Sequence, residues 1–164
     1  MRKAVVGAAI LATLTIALAA CGGSDEPASG TAATAAPTTA AAPEANGATV
    51  AVATTGLGDV LVDAKGRTLY VFTNDKGDQS ACSGQCASNW PALTVTGTAT
   101  AGTGAQASLV ATSMQANGST QVTYGGMPLY YFAGDAKPGD TNGQGVGDVW
   151  FAIGGDGNLI RAKG

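Results

Sequence analysis

Hydropathy divides the chain into three stretches. Ala4 to Ala20 is an uninterrupted run of apolar and small residues behind the positive segment Met1-Arg2-Lys3. From Gly22 to Ala48 the chain is almost entirely Ala, Thr, Pro, Gly and Ser, with only Asp25, Glu26 and Glu44 charged. Pro27, Pro37 and Pro43 break any long helix there, and large apolar side chains are too few to offset the entropy of ordering. Beyond residue 48, short apolar runs alternate with Gly-rich punctuation, the pattern of strands and turns. Val60-Leu61-Val62, the turn Ala64-Lys65-Gly66 and Thr68 to Phe72 read as a hairpin. So do Gln121 to Tyr124, Gly125-Gly126 and Pro128 to Phe132, where the glycines suit the positive φ of a tight turn. A third hairpin fits Val149 to Ile153, the turn Gly154 to Gly157 and Asn158 to Arg161. Tyr70 and Phe72 point to one face of their strand, Leu69 and Val71 to the other. Both faces are apolar, which predicts a central strand buried on both sides. Only Ser80 to Asn89 has helical character, weakened by Gly84.

The strand pattern occurs twice. A shift of 60 residues aligns 50–104 with 110–164 without a gap. It matches Gly58 with Gly118, Val62 with Val122, Gly66 with Gly126, Leu69-Tyr70 with Leu129-Tyr130, Phe72 with Phe132, Asp75 with Asp135 and Trp90 with Trp150. The chain has two Trp residues, and they meet each other. The expected fold is therefore all-β, mainly antiparallel. Two tandem repeats of about 60 residues would pack with pseudo-twofold symmetry into one small sandwich or barrel-like domain.

The amino-terminal run ends in Leu18-Ala19-Ala20-Cys21. This resembles the lipobox of bacterial lipoproteins, in which the cysteine is acylated and becomes the new amino terminus after cleavage. Small residues at 19 and 20 fit the peptidase, and the Cys21 thiol is the nucleophile. The expected organisation is a lipoprotein signal peptide at 1–20, lipidated Cys21 with a tether at 21–48, and a β domain at 49–164. Two other uses of the pattern stay open: an ordinary signal peptide cut after Ala19, and an uncleaved anchor. At least two acyl chains on Cys21 would hold the protein stably on the outer face of a membrane. The tether, as a flexible coil, would span about 30 Å.

Composition narrows the chemistry. There is no histidine, which removes the commonest general base and the commonest transition-metal ligand. Loss of Arg2 and Lys3 with the signal peptide leaves six basic against eleven acidic side chains. Such a chain carries no footprint for nucleic acid and no attraction to anionic headgroups. Its membrane contact would come through the lipid at Cys21.

The strings GDVLVDAKGRTLYVFTND, SACSGQCASNWPAL and QVTYGGMPLYYFAGDAKPGDTNGQGVGDVWF resemble the bacterial lipoproteins grouped as a secreted repeat of unknown function. Those proteins carry tandem repeats with a Tyr-x4-Asp motif, here Tyr70/Asp75 and Tyr130/Asp135. The resemblance covers residues 50–164. Two departures are Pro91-Ala92, where members often have Pro-Pro, and Met127, where many have His. The resemblance implies export and lipidation and brings no activity.

Each candidate site has a competing reading. Cys82 and Cys86 remain after Cys21 is acylated, and outside the cytoplasm two thiols four residues apart oxidise together. A structural disulfide is the first reading, a redox pair or a metal or haem ligand pair the alternatives. Asp140, Asn142 and Asp148 stand in a pattern like the opening of a calcium loop. They lack its twelfth-position Glu, so a Gly-rich connection is the first reading and a weak Ca²⁺ site the second. The repeated Tyr, Phe and Trp residues read as core rather than as a glycan platform. Asp75 and Asp135 are the natural partners for the Tyr hydroxyls. Asp135 and Asp140 lack the nucleophile or basic partner that a catalytic carboxylate pair needs. No cofactor is assigned. The functional reading is a non-enzymatic binding or scaffolding domain with an unidentified partner in the cell envelope. The alternative is a redox or electron-transfer accessory using Cys82/Cys86 or a bound cofactor.

Overall fold

The computed structural model describes residues 47–161; the expected signal peptide, Cys21 and nearly all of the expected tether lie outside them. The strands are β1 (Gly47–Thr55), β2 (Gly58–Asp63), β3 (Tyr70–Phe72), β4 (Thr94–Val95), β5 (Thr98–Ala101), β6 (Val110–Met114), β7 (Thr120–Tyr124), β8 (Met127–Pro128) and β9 (Trp150–Ala152). A short α-helix, α1 (Gln85–Asn89), follows Gly84, whose φ of 56° starts it later than the sequence suggests, and single 3₁₀ turns lie at Ala107–Leu109 and Val146–Asp148. Gly47 and Ala48, assigned to the tether, are the first two residues of β1.

The fold is mainly antiparallel β in several sheets. Strand order is β2-β1-β5 in one, β3-β9 in a second and β4-β7-β6 with β8 beside β7 in a third. Among the described residues, the exception to antiparallel pairing is β1 with β5, which run parallel from Gly47↔Thr98 to Val50↔Ala101. The expected strand from Thr68 to Phe72 changes partner along its length. Thr68 bridges Val62 inside its own hairpin, whereas Tyr70–Phe72 pairs with Trp150–Ala152 of the other repeat. Tyr70 also exchanges backbone hydrogen bonds with Tyr130, at 2.9 Å in both directions. The two repeats are thus joined through their backbones as well as their side chains.

The gap-free repeat alignment fails over one strand. Val50 pairs with Asp63 in the first repeat, and Val110 pairs with Tyr124 in the second, an offset of 60 on one strand and 61 on the other. The β1–β2 hairpin turns through Gly56-Leu57 alone. Its counterpart closes with Gln115 N–H donating to the Ser119 carbonyl around three residues, one residue longer. The next turn compensates, running over five residues between Val62 and Thr68 but four between Thr123 and Pro128. Val62 therefore corresponds to Thr123, and Leu61 to Val122. A one-residue slip moves every side chain to the opposite face, and packing agrees: Leu61 and Val122 share one core, while Val62 belongs to another.

These two cores lie on opposite faces of the central strands. One gathers aliphatic side chains such as Val50, Leu69, Val71, Leu93 and Leu129 with Tyr124 and Tyr131. The other holds Val60, Val62, Tyr70, Tyr130, Trp90 and Trp150. Leu69 and Val71 enter the first and Tyr70 the second, as period-two alternation requires. The second expected hairpin forms, but its return strand is β8 at Met127–Pro128 rather than Pro128 to Phe132, because Tyr130 turns to bridge Tyr70 and Ala92; the third closes. Gly125 and Gly126 take φ of 57° and 78° in the β7–β8 turn. Ile153 bridges Leu159 across the third hairpin.

Candidate functional site

The repeated residues converge on one place. Trp90 and Trp150 are 5 % and 4 % exposed and stack face to face, with centroids 3.9 Å apart and planes 1° from parallel. Phe72 covers the outer face of Trp150 at 4.3 Å, and Phe132 that of Trp90 at 4.5 Å. Tyr70 meets Trp90 edge-on at 5.5 Å, and Tyr130 meets Trp150 at 5.1 Å. Gly143 is small for this reason: a Cβ there would stand 2.8 Å from the Tyr70 ring and 2.9 Å from Trp90. Buried indoles leave no open aromatic platform, so the core reading of these rings holds over the glycan one.

The Tyr and Asp residues of the motif pair across the repeats. Tyr70 hydroxyl donates to Asp135 Oδ2 at 2.7 Å, and Tyr130 hydroxyl donates to Asp75 Oδ2 at 2.8 Å. The other oxygen of each carboxylate secures the loop that follows it. Asp75 Oδ1 accepts the Ala81 N–H at 2.8 Å, and Asp135 Oδ1 accepts the Asn142 N–H at 2.9 Å. Ser80 hydroxyl lies 2.7 Å from that of Tyr130, and Gly143 N–H donates to that of Tyr70. Burial, foremost, and the adjacent carboxylate hold both phenols well above their ordinary range.

Burial also lifts the Asp75 and Asp135 carboxyls above theirs, against the N–H and O–H groups that favour the ionised form. The folded state then keeps protons that the unfolded chain releases, so this contribution is largest below the unfolded carboxyl value of about 3.9. It is lost as pH rises through the folded values. Asp78 and Asp156, fully exposed and shifted down chiefly by the Gln79 side chain and the Asn158 N–H respectively, act in the opposite sense. Urea midpoints measured between about pH 6 and about pH 4 should therefore rise for the wild type relative to Asp75→Asn/Asp135→Asn on acidification. A difference between the two that stays flat across that window counts against the assignment.

Cys82 and Cys86 form a disulfide with Cα atoms 5.3 Å apart, and both pack against the Trp core. The loop they close is much shorter than the 15 residues worth about 3 kcal/mol. The second repeat shapes the equivalent loop with Asn142 donating to Asp135 and to the Gly134 carbonyl. Cys82→Ala/Cys86→Ala is accordingly expected to lower stability by less than about 3 kcal/mol and to keep its β-type circular dichroism. Loss of folding would make the staple essential.

Of the residues weighed as a calcium loop, Asp140 and Asn142 are engaged otherwise. Asp140 Oδ2 accepts the Ala136 and Lys137 N–H groups at 3.0 and 3.1 Å, closing its own turn. Lys137 Nζ lies 3.9 Å from Oδ1. Asp148 sits in a following turn with φ of 56°, a left-handed conformation that Asp tolerates. Among the described residues no group of three or more Cys, Asp or Glu is placed to hold a metal ion. Sequence reasoning missed a second polar cluster. Asp63 binds Arg67 at 2.6 Å and accepts the Lys65 and Arg67 N–H groups at 2.9 Å. Its Oδ2 also accepts the Tyr131 hydroxyl, over whose ring the Arg67 guanidinium lies at 4.0 Å. The acid opening the turn at Asp63 was the available signal; Tyr131 aligns with Val71 and gave none.

All of these pairs fall within two segments, 51–94 and 111–153, that match a lipoprotein family model described as a secreted repeat of unknown function. The chain belongs to that family. Each matched segment contributes one Tyr, one Asp and one Trp of the site, so the secreted repeat completes its motif from two copies rather than one. No curated protein and no solved structure matches the chain.

Proposed function

We propose that the protein is an exported module held on the outer face of the membrane by lipid at Cys21, carrying a non-enzymatic binding or scaffolding domain on a tether. Residues 1–20 direct export, 21–46 hold the domain clear of the headgroups, and the domain that begins with β1 at Gly47 meets an envelope partner. The observation that carries this reading is that the polar groups of the repeated motif are spent on one another. Tyr70, Tyr130, Asp75 and Asp135 hold the two repeats together and cap their loops. We read the repeats as halves related by an approximate twofold through the indole stack, closing into one sandwich-like unit. The crossed hydrogen bonds support that symmetry. Solvent-facing polar groups instead line an open groove of about 560 Å³, formed by Val52, Asp59, Gln106, Asp156, Asn158 and Leu159, the natural contact for a partner.

Cys21→Ser should abolish palmitate labelling and send the protein to the medium or leave it uncleaved. Continued labelling would remove the anchor. A photo-crosslinker placed at Asn158 should yield an envelope adduct in intact cells that one placed at Lys76 does not. Equal adducts from both positions, or none, would sink the groove as the contact. The electron-transfer reading is favoured by one observation, the stacked indoles flanked by Phe72 and a tilted Phe132 in the core against which the disulfide packs.

A further inference from the structure

The indole stack and the phenol–carboxylate pairs have a joint chemistry beyond packing. Parallel indoles at 3.9 Å overlap their π systems, which spreads a positive charge over both rings and makes the pair easier to oxidise than one indole alone. Phe72 and Phe132 cover the outer faces, and a benzene ring holds its electrons more tightly than indole does. They therefore confine the charge to the Trp pair. A phenol yields an electron readily only when its proton leaves with it. Tyr70 and Tyr130 each stand edge-on to an indole with the hydroxyl already donating to a carboxylate, the base that can take that proton.

We propose that this assembly accepts oxidising equivalents at the cell surface and stores them on Tyr70 or Tyr130. A small oxygen-derived radical, acting as a one-electron oxidant, takes an electron from the stacked indoles and leaves them as a radical cation. Tyr70 or Tyr130 returns one electron to the indoles, while its phenolic proton passes to Asp135 or Asp75. The products are neutral indole, a neutral tyrosyl radical and a protonated carboxyl, so electrons and charge balance. A small thiolate reductant restores the site: it gives one electron to the tyrosyl oxygen, is itself oxidised to a thiyl radical, and the carboxyl returns the proton.

A pocket of about 150 Å³ is bordered by Ser80, Cys82, Trp90 and Tyr130, so a small solute there lies beside two of the buried rings and within reach of electron transfer without touching their faces. The raised proton affinity that burial confers on Asp75 and Asp135 favours the transfer. The other two of the four Tyr residues lack the arrangement. Tyr124 donates to the Gly155 backbone carbonyl, which is no base. Tyr131 donates to Asp63, but that carboxylate is shared with Arg67, whose charge over the ring opposes loss of an electron.

The test uses the full chain in detergent, oxidised by laser-flash-generated tris(bipyridine)ruthenium(III) and followed by transient absorption. In the wild type the indole radical signal should convert to a tyrosyl radical, more slowly in deuterated water. Tyr70→Phe/Tyr130→Phe keeps the rings and should lose the tyrosyl signal, leaving a longer-lived indole radical. Asp75→Asn/Asp135→Asn keeps an acceptor oxygen but not the base, and should slow the conversion severalfold. Circular dichroism confirms the fold of each variant. A wild type without conversion, or a tyrosyl signal that survives in the Phe variant, overturns the proposal. An unchanged rate in the Asn variant removes the carboxylates from it.

Discussion

Trp150→Ala is expected to lower the unfolding free energy by about 3–5 kcal/mol, the range for removing a large buried aromatic side chain. The indole is almost wholly buried and touches three other rings: Trp90, Phe72 and Tyr130. Aromatic pairs contribute about 0.5–1.5 kcal/mol each beyond the area they bury, so the upper part of that range is the expectation. A small domain has only about 5–15 kcal/mol in all, which puts the variant near the limit of folding at room temperature. Trp90→Ala should behave alike, since its indole meets the same kinds of neighbour. Urea unfolding followed by circular dichroism measures both. A cost below about 1 kcal/mol, the scale of an ordinary point mutation, would mean that the stack is not central to the core.

Asp135→Ala should cost about 1.5–3 kcal/mol, the range for hydrogen bonds to charged groups, and it carries a sharper test in the identity of the partner. The spacing Tyr-x4-Asp invites pairing within a repeat, Tyr70 with Asp75. In the fold Tyr70 pairs with Asp135 and Tyr130 with Asp75. In double-mutant cycles Tyr70→Phe should therefore couple to Asp135→Ala, within the 0.5–3 kcal/mol seen for contacting residues, and add independently to Asp75→Ala. The reverse pattern would refute the crossed arrangement. Asp75→Ala should couple in turn to Tyr130→Phe.

That crossing marks where sequence reading stopped. The duplication, the three hairpins and the alternation of Leu69, Tyr70, Val71 and Phe72 were legible because periodicity and turn chemistry are local. The Tyr–Asp chemistry was legible too, since a buried hydroxyl needs an acceptor and the motif holds the acid. Which Asp serves which Tyr was not, because two identical motifs offer the same partner at two distances. The slip between Val62 and Val122 was hidden for a related reason. One turn gained a residue and the next lost one, so the offset returned to 60 by Leu69/Leu129 and the alignment looked unbroken. The parallel contact of β1 with β5 could not be foreseen, because Thr98–Ala101 is too bland to announce a strand. Asp63 and Tyr131 belong to different repeats and to no shared motif, so their contact had no signature.

The parallel pairing of β1 has a mechanical consequence. A pull that reaches β1 from its amino-terminal side arrives at Gly47, the first described residue of the strand. That strand is hydrogen-bonded on both flanks, to β2 from Val50 to Thr55 and to β5 from Gly47 to Val50. A force along its axis loads both ladders in shear, so their bonds must yield together rather than one after another as in unzipping. That strand, β1, is the longest among the described residues, so a tug along it is resisted by a ladder on each flank.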